Sequence, residues 1–137
     1  MAVDMNRKNG NKRAARFGEV ISVNETDVRI LRRAAEILRN PAAWNKQDNR
    51  ECPASAKKFS LYCALWKASE EVNGEFDHRL WALEELRRTV EQASRGKAYE
   101  HRLMDFNNDP ATKLEDIHRA LEKTAQRISA RLQSKPK

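Results

Sequence analysis

Apolar residues recur every three or four positions in four separate stretches of the chain, and none alternates with the two-residue period of a half-buried strand. The first stretch carries Val28, Leu31, Ala35 and Leu38. Asn24 offers a cap there and Asp27 an acid in the first turn, so the helix should begin near Asn24 or Thr26. Asn40-Pro41 ends it, because a residue before proline avoids the α region. A loop over 41–54 holds Trp44 and Cys52, and Pro53 and Ser55 signal a second helix over about 55–73. That helix has one stripe of Phe59, Tyr62 and Trp66 and another of Leu61, Leu65, Ala68 and Val72. With Cys63 and Ala64 between the stripes it is apolar nearly all round, the pattern of a central, buried helix.

Asn73-Gly74 stops the second helix. A third runs over about 77–94, with Asp77 as cap, Leu80, Leu83, Leu86, Val90 and Ala93 inward, and Gly96 beyond its end. The connection over 97–111 has room for a helical turn near 98–104. In the fourth helix Thr112 and Glu115 have the spacing of a capping box, and Leu114, Ile117, Leu121, Ala125, Ile128 and Leu132 face inward. If that box forms, Thr112→Ala costs about 1 kcal/mol. These patterns predict an all-α fold: a four-helix antiparallel bundle-like domain over 24–132 with long loops, a flexible basic arm over 1–23 and a disordered tail over 133–137.

Charge changes the picture only at the ends. Of the net +7, the excess lies in the arm, with Arg7, Lys8, Lys12, Arg13 and Arg16, and beyond Arg119, leaving the body close to neutral. A basic balance of this kind is weak evidence for nucleic acid. No apolar run approaches the ~20 residues of a membrane span, and no apolar stretch follows the basic N-terminus as a secretory leader would require. Two cysteines are too few for a disulfide scaffold, and a reducing, cytoplasmic setting is the simplest expectation.

Three blocks in a fixed order carry a resemblance. They are Leu31-Arg32-Arg33-Ala34-Ala35-Glu36-Ile37-Leu38 with Trp44, then Cys63-Ala64-Leu65-Trp66-Lys67-Ala68, then Phe106-Asn107-Asn108-Asp109-Pro110 with Asp116-Ile117. Over about 28–130 the chain resembles an uncharacterised family of small bacterial all-helical proteins, marked by a Trp-Asn-Asp-x-Pro turn before the last helix. Phe106 stands for the Trp of that turn, Asn108 for its Asp, and Thr112 lies one place nearer the proline. The resemblance implies a helical fold and supplies no catalytic residue.

Candidate chemistry is sparse. Cys52, Cys63, His78, His101 and His118 lack the spacings of zinc ligands, and Cys63 reads as a small buried apolar residue. His118 should be exposed on a helix flank. Glu70-Glu71 and Glu84-Glu85 are neighbours that point to different sides of a helix, so they read as solvated charge. No phosphate-cradling glycine pattern or nucleophile elbow occurs. Neither a cofactor nor a metal is expected. Arg119, Lys123, Arg127 and Arg131 recur in steps of four, making one slowly turning basic face for phosphate, with Glu115 placed to pair with Arg119. Trp44, Asn107 and Asp109 are the candidates for ligand or partner contact, in a groove between the 41–54 and 97–111 loops that Tyr99 and His101 would face. The leading expectation is a non-enzymatic cytoplasmic module that binds a protein or peptide. A weak, nonspecific nucleic-acid binder is the alternative, and a membrane role is not expected.

Overall fold

Helix α1, Glu25–Ile37, starts at the expected cap: Asn24 Oδ1 accepts the Thr26 N–H at 2.8 Å, and Asp27 Oδ2 accepts the Asn24 N–H at 2.8 Å. The structure is a computed structural model that describes residues 24–77, 80–94 and 96–134. The expected basic arm over 1–23 lies outside the described residues, as does His78. Residues 133 and 134, expected in a disordered tail, instead end the last helix.

The second oxygen of Asp27 reaches further. Asp27 Oδ1 accepts the Ala82 N–H at 3.0 Å, in the first turn of α3, Trp81–Ala93. Asp77 does not cap that helix from its own segment, and α3 begins four residues later than Asp77. A carboxylate borrowed from α1 does that work, so one buried side chain serves two helix N-termini.

Helix α2, Leu61–Asn73, also starts later than expected, behind a Ser60 cap. Phe59 is held extended in a parallel bridge to Trp44, with Asn45 N–H to Phe59 O at 2.9 Å and Phe59 N–H to Ala43 O at 2.7 Å. This pairing keeps the backbone out of a helix until Ser60. Gly74, at φ 82°, closes α2 in the left-handed region as expected. The connection before the last helix holds α4, Arg102–Asn108, later than the turn predicted near 98–104. Asp105 Oδ2 takes the N–H groups of Glu100 and His101 and so sets its start. Helix α5, Leu114–Ser134, begins beyond Thr112; Asp116 Oδ2 accepts the Lys113 N–H at 2.8 Å. The expected Thr112–Glu115 box is therefore replaced one residue on by Lys113 and Asp116, and Thr112 lies buried in the preceding turn. Its removal no longer carries the cost of a lost cap.

The all-α expectation holds, with five helices among the described residues where four were predicted. Helix α1 packs most broadly, against α2 and α5, while α3 packs on α5 and α4, and α4 also touches α2. Ile30, Leu31, Leu65, Leu86, Leu121 and Ile128 are among the fully buried side chains of this core. None of the helices is long and apolar enough to cross a membrane, among the described residues.

Two polar features were misjudged from sequence. Glu85, read as solvated, is 2% exposed between α3 and α5, where Arg127 and Arg131 reach its Oε1 at 3.4 and 3.2 Å. Beside it the Thr89 and Thr124 hydroxyls meet at 2.6 Å. A carboxylate at an inter-helix seam needs such partners, because unpaired burial of charge is far costlier than exposure. His118 is not free on a flank: its Nε2 bonds the Leu38 carbonyl at 2.8 Å and ties α5 to the end of α1.

Cys52 and Cys63 form a disulfide that fastens the 41–60 connection to the first turn of α2. The reading of Cys63 as a lone apolar residue is thereby corrected. Two cysteines, too few for a disulfide scaffold, still make one bridge, so their small number does not argue for a reducing compartment.

Asp27→Ala should lower stability by about 2 kcal/mol, the sum of two lost caps at about 1 kcal/mol each. Glu25→Ala, an exposed acid in the same turn, should stay within about 0.5 kcal/mol of wild type. Urea denaturation of the two variants checks the difference.

Candidate functional site

The two long connections meet at Asn107, near the end of α4. Its side chain is wholly buried. Oδ1 accepts the Trp44 indole N–H at 2.8 Å and the Leu61 N–H at 3.0 Å, the latter at the start of α2. Nδ2 donates to Asn45 O and to Asn108 Oδ1, both at 3.0 Å. Two acceptances and two donations use the full capacity of a carboxamide.

Its neighbours extend the seam. Asn108 pairs with the backbone of Asp48 on both sides, Oδ1 accepting the N–H at 2.7 Å and Nδ2 donating to the carbonyl at 2.9 Å. Lys46 donates to the carbonyls of Asp109 and Thr112 and lies 4.8 Å from the centre of the Trp44 ring. Burial lowers the Lys46 pKa, against the pull of the Asp109 and Asp116 charges. The loops expected to enclose a pocket are thus joined to one another. Trp44 and Asn107 are brought together as structural partners, and Phe106 is buried beside them as the expected anchor. Lys46 escaped sequence reasoning, its one signal being the polar run from Asn45 to Asn49, which reads equally as a solvated loop, and Asn108 was noted only as the residue standing for an Asp in the turn.

Asp109 faces away from this seam. Its Oδ2 accepts from Lys97 Nζ at 2.5 Å and from the Tyr99 hydroxyl at 2.7 Å, while Oδ1 accepts the Ala111 N–H at 2.9 Å. Lys97 first, then the Ala111 N–H and Tyr99, hold the Asp109 carboxyl well below the usual carboxylate range. Burial, then the Asp109 carboxylate, pushes the Tyr99 phenol up to about 12.

These residues form one wall of an open groove of about 500 Å³ between the end of α3 and the start of α5. Phe106, Ala93, Ala111 and Ala120 give it apolar surface, and Lys97, Arg119 and Lys123 stand along it. Arg119 pairs with Asp116 at 2.9 Å, not with Glu115, and its side chain is 68% exposed. The predicted basic row therefore divides: Arg119 and Lys123 border the groove, while Arg127 and Arg131 hold Glu85. His101 is exposed and lines a separate small cleft. Among the described residues no three His, Cys, Asp or Glu side chains converge as a metal site would require.

Asn107→Ala strands the Trp44 and Leu61 N–H groups and the Asn45 carbonyl, and should cost about 3 kcal/mol or more at 1–3 kcal/mol per stranded group. Trp44→Phe leaves Asn107 Oδ1 its backbone partner and should cost about 1 kcal/mol for one hydrogen bond. Equilibrium unfolding of both checks the ranking. The Asp109–Tyr99 pair also sets both ends of the pH profile. Asp109, with its folded pKa lowered, stabilises above the unfolded value of about 4 and loses that contribution as pH falls below it. Tyr99, with its folded pKa raised, stabilises below the unfolded value of about 10. That contribution declines as pH rises toward about 12. Asp109→Asn should flatten the acid limb of stability and Tyr99→Phe the alkaline limb. Tyrosinate absorbance should show one tyrosine ionising late.

No curated protein and no solved structure matches the chain. Residues 22–127 match the model of a family described as Family of unknown function (DUF6197), a span that contains all three sequence blocks and the seam where the first and third meet. A match over most of the chain bears out the resemblance to an uncharacterised helical family, and the protein belongs to the Family of unknown function (DUF6197).

Proposed function

We propose that the protein is a non-enzymatic binding module whose α3–α5 groove takes a peptide segment of a partner protein through an acidic side chain. The observation that supports this most is the state of Asp109. A carboxylate with three donors and a lowered pKa is a poor proton acceptor near neutrality, and a phenol raised to about 12 is a poor acid. The groove's central polar pair is built to hold its shape. What it offers a visitor is a cationic excess: Lys97, 51% exposed, is balanced by Asp109, Arg119, 68% exposed, by Asp116, and Lys123 stands beside them. Alanines and Phe106 between those charges give a shallow apolar bed. An acidic peptide complements both the charge and the bed.

The nucleic-acid reading keeps fewer groups than the periodicity promised, since two of its four α5 cations are engaged with a buried carboxylate. It would lean on Arg119, Lys123 and the basic arm. A cytoplasmic location remains the expectation attached to the binding reading. Thiol trapping of freshly lysed cells would read whether the Cys52–Cys63 bridge is formed there.

Selection from a random peptide display library should enrich Asp- and Glu-containing sequences. Their binding should fall at least tenfold in Arg119→Glu/Lys123→Glu, with amide shifts in the wild-type protein confined to the groove. Selected peptides with no acidic preference, or none retained, would overturn the proposal. Duplex or single-stranded nucleic acid that binds at low salt, and weakens when residues 1–20 are removed, would favour the alternative.

A further inference from the structure

A second concavity, which shares no lining residue with the groove, gathers arginines from three separated parts of the chain. Arg50 comes from the 41–60 connection, Arg87 from α3 and Arg102 from the first turn of α4. Together with Tyr62, His101 and Glu100 they line a cleft of about 130 Å³. That is well below the roughly 300–1,000 Å³ of pockets that enclose whole small molecules. It suits one charged group. We propose that this cleft binds a phosphate group, either free phosphate or a phosphate monoester carried by a peptide.

Arg50 carries the argument. It is the only non-glycine residue at positive φ among the described residues, at 66°. Left-handed backbone at a bulky side chain is unfavourable and persists where surrounding structure enforces it. Here Asp48 Oδ1 holds the Arg50 N–H at 2.7 Å, and Asp48 is itself clasped by Asn108. Two residues on, the Cys52–Cys63 disulfide joins the arginine's loop to the residue after Tyr62. The guanidinium lies 5.7 Å from the Tyr62 ring centre. Among the described residues it meets no carboxylate, whereas Arg87 pairs with Glu84 at 3.1 Å and Arg102 with Glu91 at 3.4 Å. Glu91 is 68% exposed, so its pairing is screened and easily exchanged for a better anion. Three guanidinium forks brought to one cleft from separate parts of the chain match a tetrahedral oxyanion with several acceptor oxygens better than a single carboxylate. Met104, which also lines the cleft, gives apolar contact to whatever carries the group.

The test uses the full chain, oxidised, with two probes: inorganic phosphate, and a short phosphoserine peptide beside its unphosphorylated form. Titration followed by amide resonances should shift Arg50, Tyr62, Arg87 and Arg102. Arg50→Gly separates binding from folding, because glycine suits the positive φ that arginine tolerates poorly. That variant should keep or raise the melting temperature while losing at least tenfold in phosphate affinity. Arg102→Ala should lose affinity similarly, and Arg119→Glu/Lys123→Glu should leave it unchanged, which separates this site from the groove. Equal affinity for the two phosphate probes assigns free phosphate; tighter binding of the phosphopeptide, with its unphosphorylated form silent, assigns the carried group. No shift with either probe, or undiminished affinity in Arg50→Gly, overturns the proposal.

Discussion

The buried carboxamide of Asn107 is the interaction on which the rest of the architecture depends. It closes the start of α2, grips Trp44, holds the Asn45 carbonyl and orients Asn108, with no bonding capacity left over. Each of those groups would otherwise be a polar atom withdrawn from water without a partner, the costliest kind of burial. The long connection before α2 can therefore lie against the body without forming regular structure of its own. Its backbone bonds are made by side chains of the α4 end and by the Trp44–Phe59 bridge, while its own Lys46 reaches across to the carbonyls of Asp109 and Thr112.

The same device recurs on the other side of the molecule. Asp27 closes its own helix and α3 at once, as Asn107 closes α2 from α4. Two helix starts are thus satisfied by residues 46 and 55 positions away in the chain. Capping of this kind couples elements that apolar packing alone would leave free to slide, because a hydrogen bond specifies position where hydrophobic contact is non-directional. Glu85 adds a third such constraint, locking α3 to α5 through two arginines.

This coupling also decides what could be read from the sequence. Local physics was legible: the Asn24–Asp27 box, the Gly74 stop and the inward faces of the helices depend on residues within a few positions of one another. The starts of α2 and α3 were misplaced because the atoms that set them are distant in sequence. Thr112 and Glu115 had the right spacing for a cap, yet Asp109 drew the Thr112 N–H into a turn and the helix began behind Asp116. Glu85 looked solvated because a lone glutamate carries no local mark of the two arginines that reach it from α5. Of the candidate site, Asn107 and Asp109 were both singled out from the sequence, but their different surroundings depend on which face of the turn each occupies, which no periodicity records.

That division of roles gives the functional reading its shape. Asn107 and Asn108 look inward and spend their polar atoms on the fold, while Asp109, next in the chain, looks outward onto the groove. A rigid turn with one face buried and one presented is a platform, and its exposed chemistry is set by what surrounds the presented face. Here that face holds a carboxylate balanced by Lys97 and hydrogen-bonded by Tyr99, and Arg119 is balanced by Asp116, so the excess charge along the groove is that of Lys123 on the neighbouring helix. In the proposed binding, apolar surface would supply attraction and the cationic excess selectivity. The proposed recognition of an acidic segment therefore shares its surface with the hydrogen bonds that hold the turn before the last helix, and that surface cannot be altered at Asp109 without loosening the turn that presents it.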